Sequence, residues 1–136
     1  MSLNPTQVHE RLDVLGVLDD AHGAGTYALE VAVPDAVDAV QRRWLDAIDA
    51  PLPDAYAEQL AAADRSLYVG RSGVVYARIM DHCRGDVRLE SFVRAFDLVN
   101  VSGVWPGDAN TGVAERDRAR ALAGDGVVCW TDGELF

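Results

Sequence analysis

At Pro34 the apolar residues of this chain change their spacing from every second position to every third or fourth, and no single secondary structure accommodates both. Residues Thr26 to Val33, "TYALEVAV", alternate Tyr27, Leu29, Val31 and Val33 with small or polar neighbours, the pattern of a strand buried on one face. Pro34 lacks the amide a ladder needs and ends that strand. The next stretch, "DAVDAVQRRWLDAI", repeats Val37, Val40, Trp44, Leu45 and Ile48 at helical spacing. The change recurs around Gly70: "SLYVG" reads as a strand, "RSG" as a turn, and Val74 to Arg84 as a helix. Interleaved strands and helices of this kind predict a domain that mixes both.

The other segments fit that class. Val8, Leu12, Leu15 and Leu18 set out a helix from Pro5 to about Asp20, which "HGAG" breaks. Pro51 and Pro53 close the helix after Pro34, and an Ala-rich helix follows from Asp54 to about Ala63. A helix over about Val87 to Phe96, a third strand at "LVNVSGVW", a loop at "PGDANTG", a helix from about Ala114 to Ala123 and a short last strand at "GVVCW" complete the pattern. At 136 residues, 49% of them hydrophobic, the chain can bury one core and is short for two.

Charge narrows the partners. Twenty-two acids, sixteen of them Asp, face twelve bases, and every base is arginine, for a net charge of -10. The balance looks like that of a protein from a salt-loving organism, whose surplus carboxylates keep it hydrated. In dilute buffer such a surface repels phosphates and argues against nucleic acid. In molar salt the screening length shrinks to about 3 Å, so only local contacts matter and nucleic acid is again admissible. Cys83 and Cys129 show no CxxC spacing, which predicts two reduced core thiols rather than a zinc site or a disulfide. No basic start with an apolar run and no stretch approaching about 18 apolar residues occurs, so a cytoplasmic location away from membranes is expected.

On the helix after Gly70, Val75, Tyr76, Ile79, Met80 and Cys83 form one broad apolar face, with Arg78 and His82 together on its shoulder. Arg78 offers a permanent fork to phosphate oxygens, and His82 exchanges a proton near neutral pH. Such a pair also often decorates a helix, salt-bridged to Asp81 or Asp86. Two further residues change its company: Tyr27 in "GTY", Gly25 to Tyr27, and Tyr68 in "YVG", Tyr68 to Gly70. With Arg78 and His82 ten and fourteen positions after Tyr68, the chain resembles the GIY-YIG nuclease family, whose two triplets lie on neighbouring strands before a helix carrying Arg and His. Glu115, in "VAERDRARALA", matches the family's metal-binding glutamate. It opens a helix after the third strand and shares a stripe with Ala119 and Leu122, which favours it over Glu90. A first-turn glutamate held by the helix dipole is the plainer reading.

The resemblance implies a small, mainly antiparallel three-stranded central sheet flanked by helices, with the C-terminal stretch a candidate fourth strand. Residues 1–24 would be a helical extension and 25–136 the nuclease-like domain, with a helical insertion at about 35–64. It also implies hydrolysis of DNA phosphodiester bonds with Mg²⁺ or Mn²⁺ on Glu115; branched, damaged or nonspecific DNA are the candidate substrates, and repair or recombination the setting. Arg78 would hold the scissile phosphate, while Tyr27 and Tyr68 position and deprotonate water. His82 would assist them or be the base itself. Gly70, Arg71 and Ser72 would meet the substrate, Ser72 as a helix cap, and Gly25 would turn the backbone beside it. Tyr27 and Tyr68 are 41 residues apart, further than the family usually has them, which is why 35–64 reads as an insertion. Asp125 stands roughly where many members have Asn, and Arg71, Arg84 and Arg88 replace the family's lysine. A fold that binds nucleic acid or protein without turnover, and an acidic interaction protein in which these residues are structural, are the competing expectations.

Overall fold

In the computed structural model, which describes residues 2–85 and 91–136, the alternation at Thr26 puts Tyr27, Leu29 and Val31 on one side of a sheet and Ala28 on the other. The chain runs α1 (Pro5–Val14), α2 (Leu18–Ala21), β1 (Gly25–Ala32), α3 (Val37–Ile48), α4 (Asp54–Ala62) and β2 (Arg65–Ser72). It continues through α5 (Val75–Arg84), α6 (Ser91–Ala95), β3 (Asp97–Trp105), α7 (Gly112–Leu122), β4 (Val127–Thr131) and β5 (Glu134–Leu135). The architecture is α+β.

The strand order is β3-β1-β2-β4-β5. β1 is antiparallel to both β2 and β3, β4 lies parallel to β2, and β5 folds back antiparallel on β4. The three-stranded, mainly antiparallel sheet expected from the sequence is therefore five-stranded and mixed. Its central three strands keep the antiparallel arrangement. The parallel addition of β4 is possible because α7 carries the chain back across the sheet between β3 and β4, the crossover a parallel neighbour needs.

The two sides of the sheet are covered unequally. On one side Tyr27, Leu29, Val31, Tyr68 and Val101 pack with Val8 and Leu12 of α1, Trp44 of α3, Leu60 of α4, Ile79 of α5 and Phe92 of α6. On the other, Ala28, Leu67, Val69 and Cys129 meet only Ala119 among buried partners, so α7 is the cover. Cys83 packs against the first cluster and Cys129 belongs to the second; both are free thiols, as expected.

The single helix expected from Pro5 to Asp20 is two. Gly16, at φ +74°, ends α1, with the Gly16 amide donating to the Asp13 carbonyl and the Val17 amide to that of Leu12. This left-handed glycine cap turns the chain, so Leu15 is left 46% exposed although its spacing matched the buried stripe. Of the helix predicted over 87–96, Ser91–Ala95 is α6; Arg88 and Glu90 lie outside the described residues. Among the described residues no helix is long and apolar enough to cross a membrane.

Candidate active site

Register brings the two tyrosines together. Tyr27 pairs with Gly70 and Leu29 with Tyr68, so the phenols are diagonal neighbours on the heavily covered side, ring centroids 6.1 Å apart. Gly70 is required here by space: a Cβ on it would stand 2.5 Å from both Cζ and the hydroxyl of Tyr27. The glycine thus acts by leaving room for the phenol and does not itself line the cavity.

α5 supplies the next two groups. Its apolar face, including Val75, Ile79 and Met80, is buried, which fixes the helix and turns His82 toward the sheet. His82 Nε2 lies 2.8 Å from the Tyr27 hydroxyl, with Tyr27 only 1% and His82 6% exposed. Burial, reinforced by the Arg78 charge, pushes the His82 pKa down to about 4. The imidazole is consequently neutral at pH 7, with one ring nitrogen free of a proton. Arg78, one turn earlier, is exposed and makes no ion pair among the described residues. Other arginines are committed elsewhere, as in Arg65 with Glu30 at 2.8 Å and Arg118 with Asp108 at 2.9 Å. Arg78 is the cation available to an incoming anion.

Glu115 comes from the opposite side of the sheet. β2 continues past Tyr68, the last residue paired with β4, to Ser72, whereas β4 ends at Thr131 and turns away. That leaves a notch beside β2, and the first turn of α7 places Glu115 at it, 8% exposed. Burial raises its pKa; the Thr131 hydroxyl and Arg71 partly oppose the rise and Asp132 adds to it. Arg71 Nε stands 3.9 Å from the carboxylate, a loose contact, and its Nη1 donates to Asn110. The Thr131 hydroxyl lies near enough to favour the carboxylate, yet it is buried without a partner at full hydrogen-bond geometry.

One cavity of about 370 Å³ is lined by Tyr27, Tyr68, Arg71, Arg78, His82 and Glu115 together. Besides Gly70, two more of the expected contacts are absent from it. Ser72 does not line the cavity and is not the helix cap: its hydroxyl accepts from the Val74 amide, and Val74 holds the cap position. Gly25 serves packing between strands, since a Cβ there would meet the Trp105 carbonyl at 2.5 Å. Asp125 is exposed in a left-handed turn away from the cavity, and Arg84 faces other hollows.

Sequence reasoning missed Ser91, Trp130, Asp132 and Gly133, which complete the lining. The signal for two of them was present in "TDGE": an Asp-Gly pair favours the two-residue hairpin with both residues left-handed. Asp132 and Gly133 adopt it, at φ 50° and 77°, between β4 and β5. The helical pair α3 and α4 does not line the cavity. It supports the wall from behind, with Trp44 at 5.3 Å and Tyr56 at 5.8 Å from the Trp130 ring, and Phe92 stacked on the same ring at 9°.

A hard divalent cation fits the donors present. Glu115 and Asp132 both line the cavity, Asp132 also pairing with Arg116 at 3.1 Å, and the buried Thr131 hydroxyl, outside the lining, stands beside Glu115. Among the described residues no cluster of three or more His, Cys, Asp or Glu forms a complete cage, the arrangement Mg²⁺ least needs because it retains water and substrate oxygens. Comparison with protein-family models, with curated proteins and with solved structures returns no match for this chain.

Proposed function

We propose that the protein is a metal-dependent endonuclease of the GIY-YIG kind, hydrolysing DNA phosphodiester bonds with Mg²⁺ or Mn²⁺. The observation that carries the reading is the meeting, in one open cavity, of two phenols, a neutral imidazole, an exposed arginine and a buried carboxylate drawn from four separate elements. Arg78 binds a phosphate oxygen and holds the diester against the tyrosines, with Arg71 as a second positive group. Tyr27 orients the attacking water and takes its proton while passing its own to the uncharged His82 across their 2.8 Å contact. Tyr68 holds the water from the neighbouring strand. Glu115, with Asp132 on the same cavity wall, would hold the cation, which would supply Lewis-acid withdrawal of charge from the phosphate. The surrounding acidity restricts productive contact to this cavity and to salt concentrations that screen the rest of the surface.

The test is cleavage of plasmid and branched DNA with Mg²⁺ or Mn²⁺ over a range of KCl from dilute to molar. Nicking by wild type that Glu115→Gln and Arg78→Ala abolish supports the reading; equal inertness of all three across substrates and salts sinks it. The contact of Arg71 with Glu115 favours a second reading, in which that cation stands in for the metal and the fold binds nucleic acid or protein without turnover. DNA binding that depends on Arg78, without cleavage and without metal-dependent stabilisation, would select it.

A further inference from the structure

His82 has two sides, and only one of them faces the candidate site. Nε2 is committed to Tyr27, whereas Nδ1 makes no hydrogen bond among the described residues and is not sealed from solvent. His82 also lines a second hollow of about 280 Å³, bounded among others by Ser2, Cys83, Val93, Arg94 and Asp97. Among the described residues the two hollows share no other lining residue, which puts His82 between them.

We infer that His82 is a proton relay between the two hollows, receiving the Tyr27 proton on Nε2 and releasing one from Nδ1 into the second cavity; the inference rests on the nuclease reading. The chemistry balances. As the water oxygen bonds to phosphorus and the bond from phosphorus to the leaving oxygen breaks, one water proton moves to Tyr27. The Tyr27 proton moves to Nε2, and the Nδ1 proton passes to solvent in the second cavity. The leaving oxygen departs with the electron pair of the broken bond and takes its proton from water once the product strand separates. After product departs, the ring recovers its starting tautomer by the same exchange with solvent in reverse. The arrangement solves a problem of access: bound DNA would cover the first cavity and block its exchange with bulk water, while the second stays open. Asp97, the carboxylate of that second cavity, gives the emerging proton a polar exit. Burial supports the role by keeping the ring neutral, with its pKa down to about 4.

The experiment uses the full chain and two readouts. The first is the rate, by NMR without DNA, at which the proton shared by Tyr27 and His82 exchanges with water; the second is kcat on DNA. Ser2→Phe fills the second cavity from an exposed position without touching the first. It is expected to slow the exchange and to lower kcat several-fold, leaving the Kd for DNA unchanged. His82→Gln, which offers Tyr27 a polar partner but cannot pass a proton through, is expected to lower kcat about a hundredfold. The relay is overturned if Ser2→Phe leaves either rate at the wild-type value, or if His82→Gln cleaves like wild type. Absence of any cleavage by wild type would remove the nuclease reading alone, and the exchange rate in Ser2→Phe would still decide whether protons cross here.

Discussion

The two sides of the sheet contribute opposite kinds of chemistry. The side under α1 and α3 to α6 is deep and dry, and from it come the Tyr27 hydroxyl and a His82 stripped of its charge. The side under α7 is thin, with a core of small residues, and from it comes Glu115, a carboxylate that burial disfavours but that nearby Arg71 and Thr131 keep within reach of ionisation. Neutral donors and acceptors tolerate dehydration, while a charge needs partners or a wet rim. The candidate site lies where β2 outruns β4, and there both environments open onto the same space.

The contrast can be broken or sharpened by substitution, beginning with the deep side. Trp44→Ala removes a ring packed against both Phe96 and Trp130 and is expected to cost about 4 kcal/mol in urea unfolding. Leu67→Ala, on the thin side, should cost less; equal losses would mean the two cores are not different in kind. Next in size is a pH effect. The folded His82 pKa, about 4, lies below the unfolded value of 6.5, so the unfolded chain binds the extra proton first. Stability is then complete above about pH 6.5 and lost as pH falls toward 4, by up to about 3 kcal/mol. His82→Gln should flatten that part of the profile in thermal melts, and an unchanged slope would assign the loss elsewhere. Tyr27→Phe follows: cleavage should fall about a hundredfold, with about 1 kcal/mol of stability lost along with the His82 hydrogen bond. The smallest effect belongs to Glu115→Gln. Because the folded pKa of Glu115 is raised, its ionisation weakens the fold as pH rises through that value, so the amide should melt slightly higher at pH 7. Mg²⁺ should raise the melting temperature of wild type and leave that of Glu115→Gln where it was.

Much of this was legible in the chain itself. Alternation gave β1, and proline and glycine punctuation gave the helices around it, because both signals are local. That Tyr27 and Tyr68 would stand on neighbouring strands came from the resemblance their two short triplets carry, and the closeness of Arg78 and His82 followed from a four-residue step on one helix. What local pattern could not supply was register between distant segments. The parallel addition of β4 to β2 has no signature in five residues, so Trp130 and Asp132 were left out of the site. Ser72 misled for a related reason: a serine before a helix has a choice of nearby amides, and here it closes a short turn on Val74 instead. Leu15 kept the apolar spacing of α1 but stood one residue before Gly16, and backbone geometry overrode periodicity.

The contact of Arg65 with Val127 joins parts of the chain that a ribosome produces far apart in time. The pairing of β1 with β3 spans as much chain, so loop closure does not set the two apart; order of synthesis does, because β1, β2 and β3 are all made before β4 and β5. Until that later ribbon docks there is no end wall for Glu115 to face. The candidate cavity is therefore closed only by strands that leave the ribosome after the rest of the sheet.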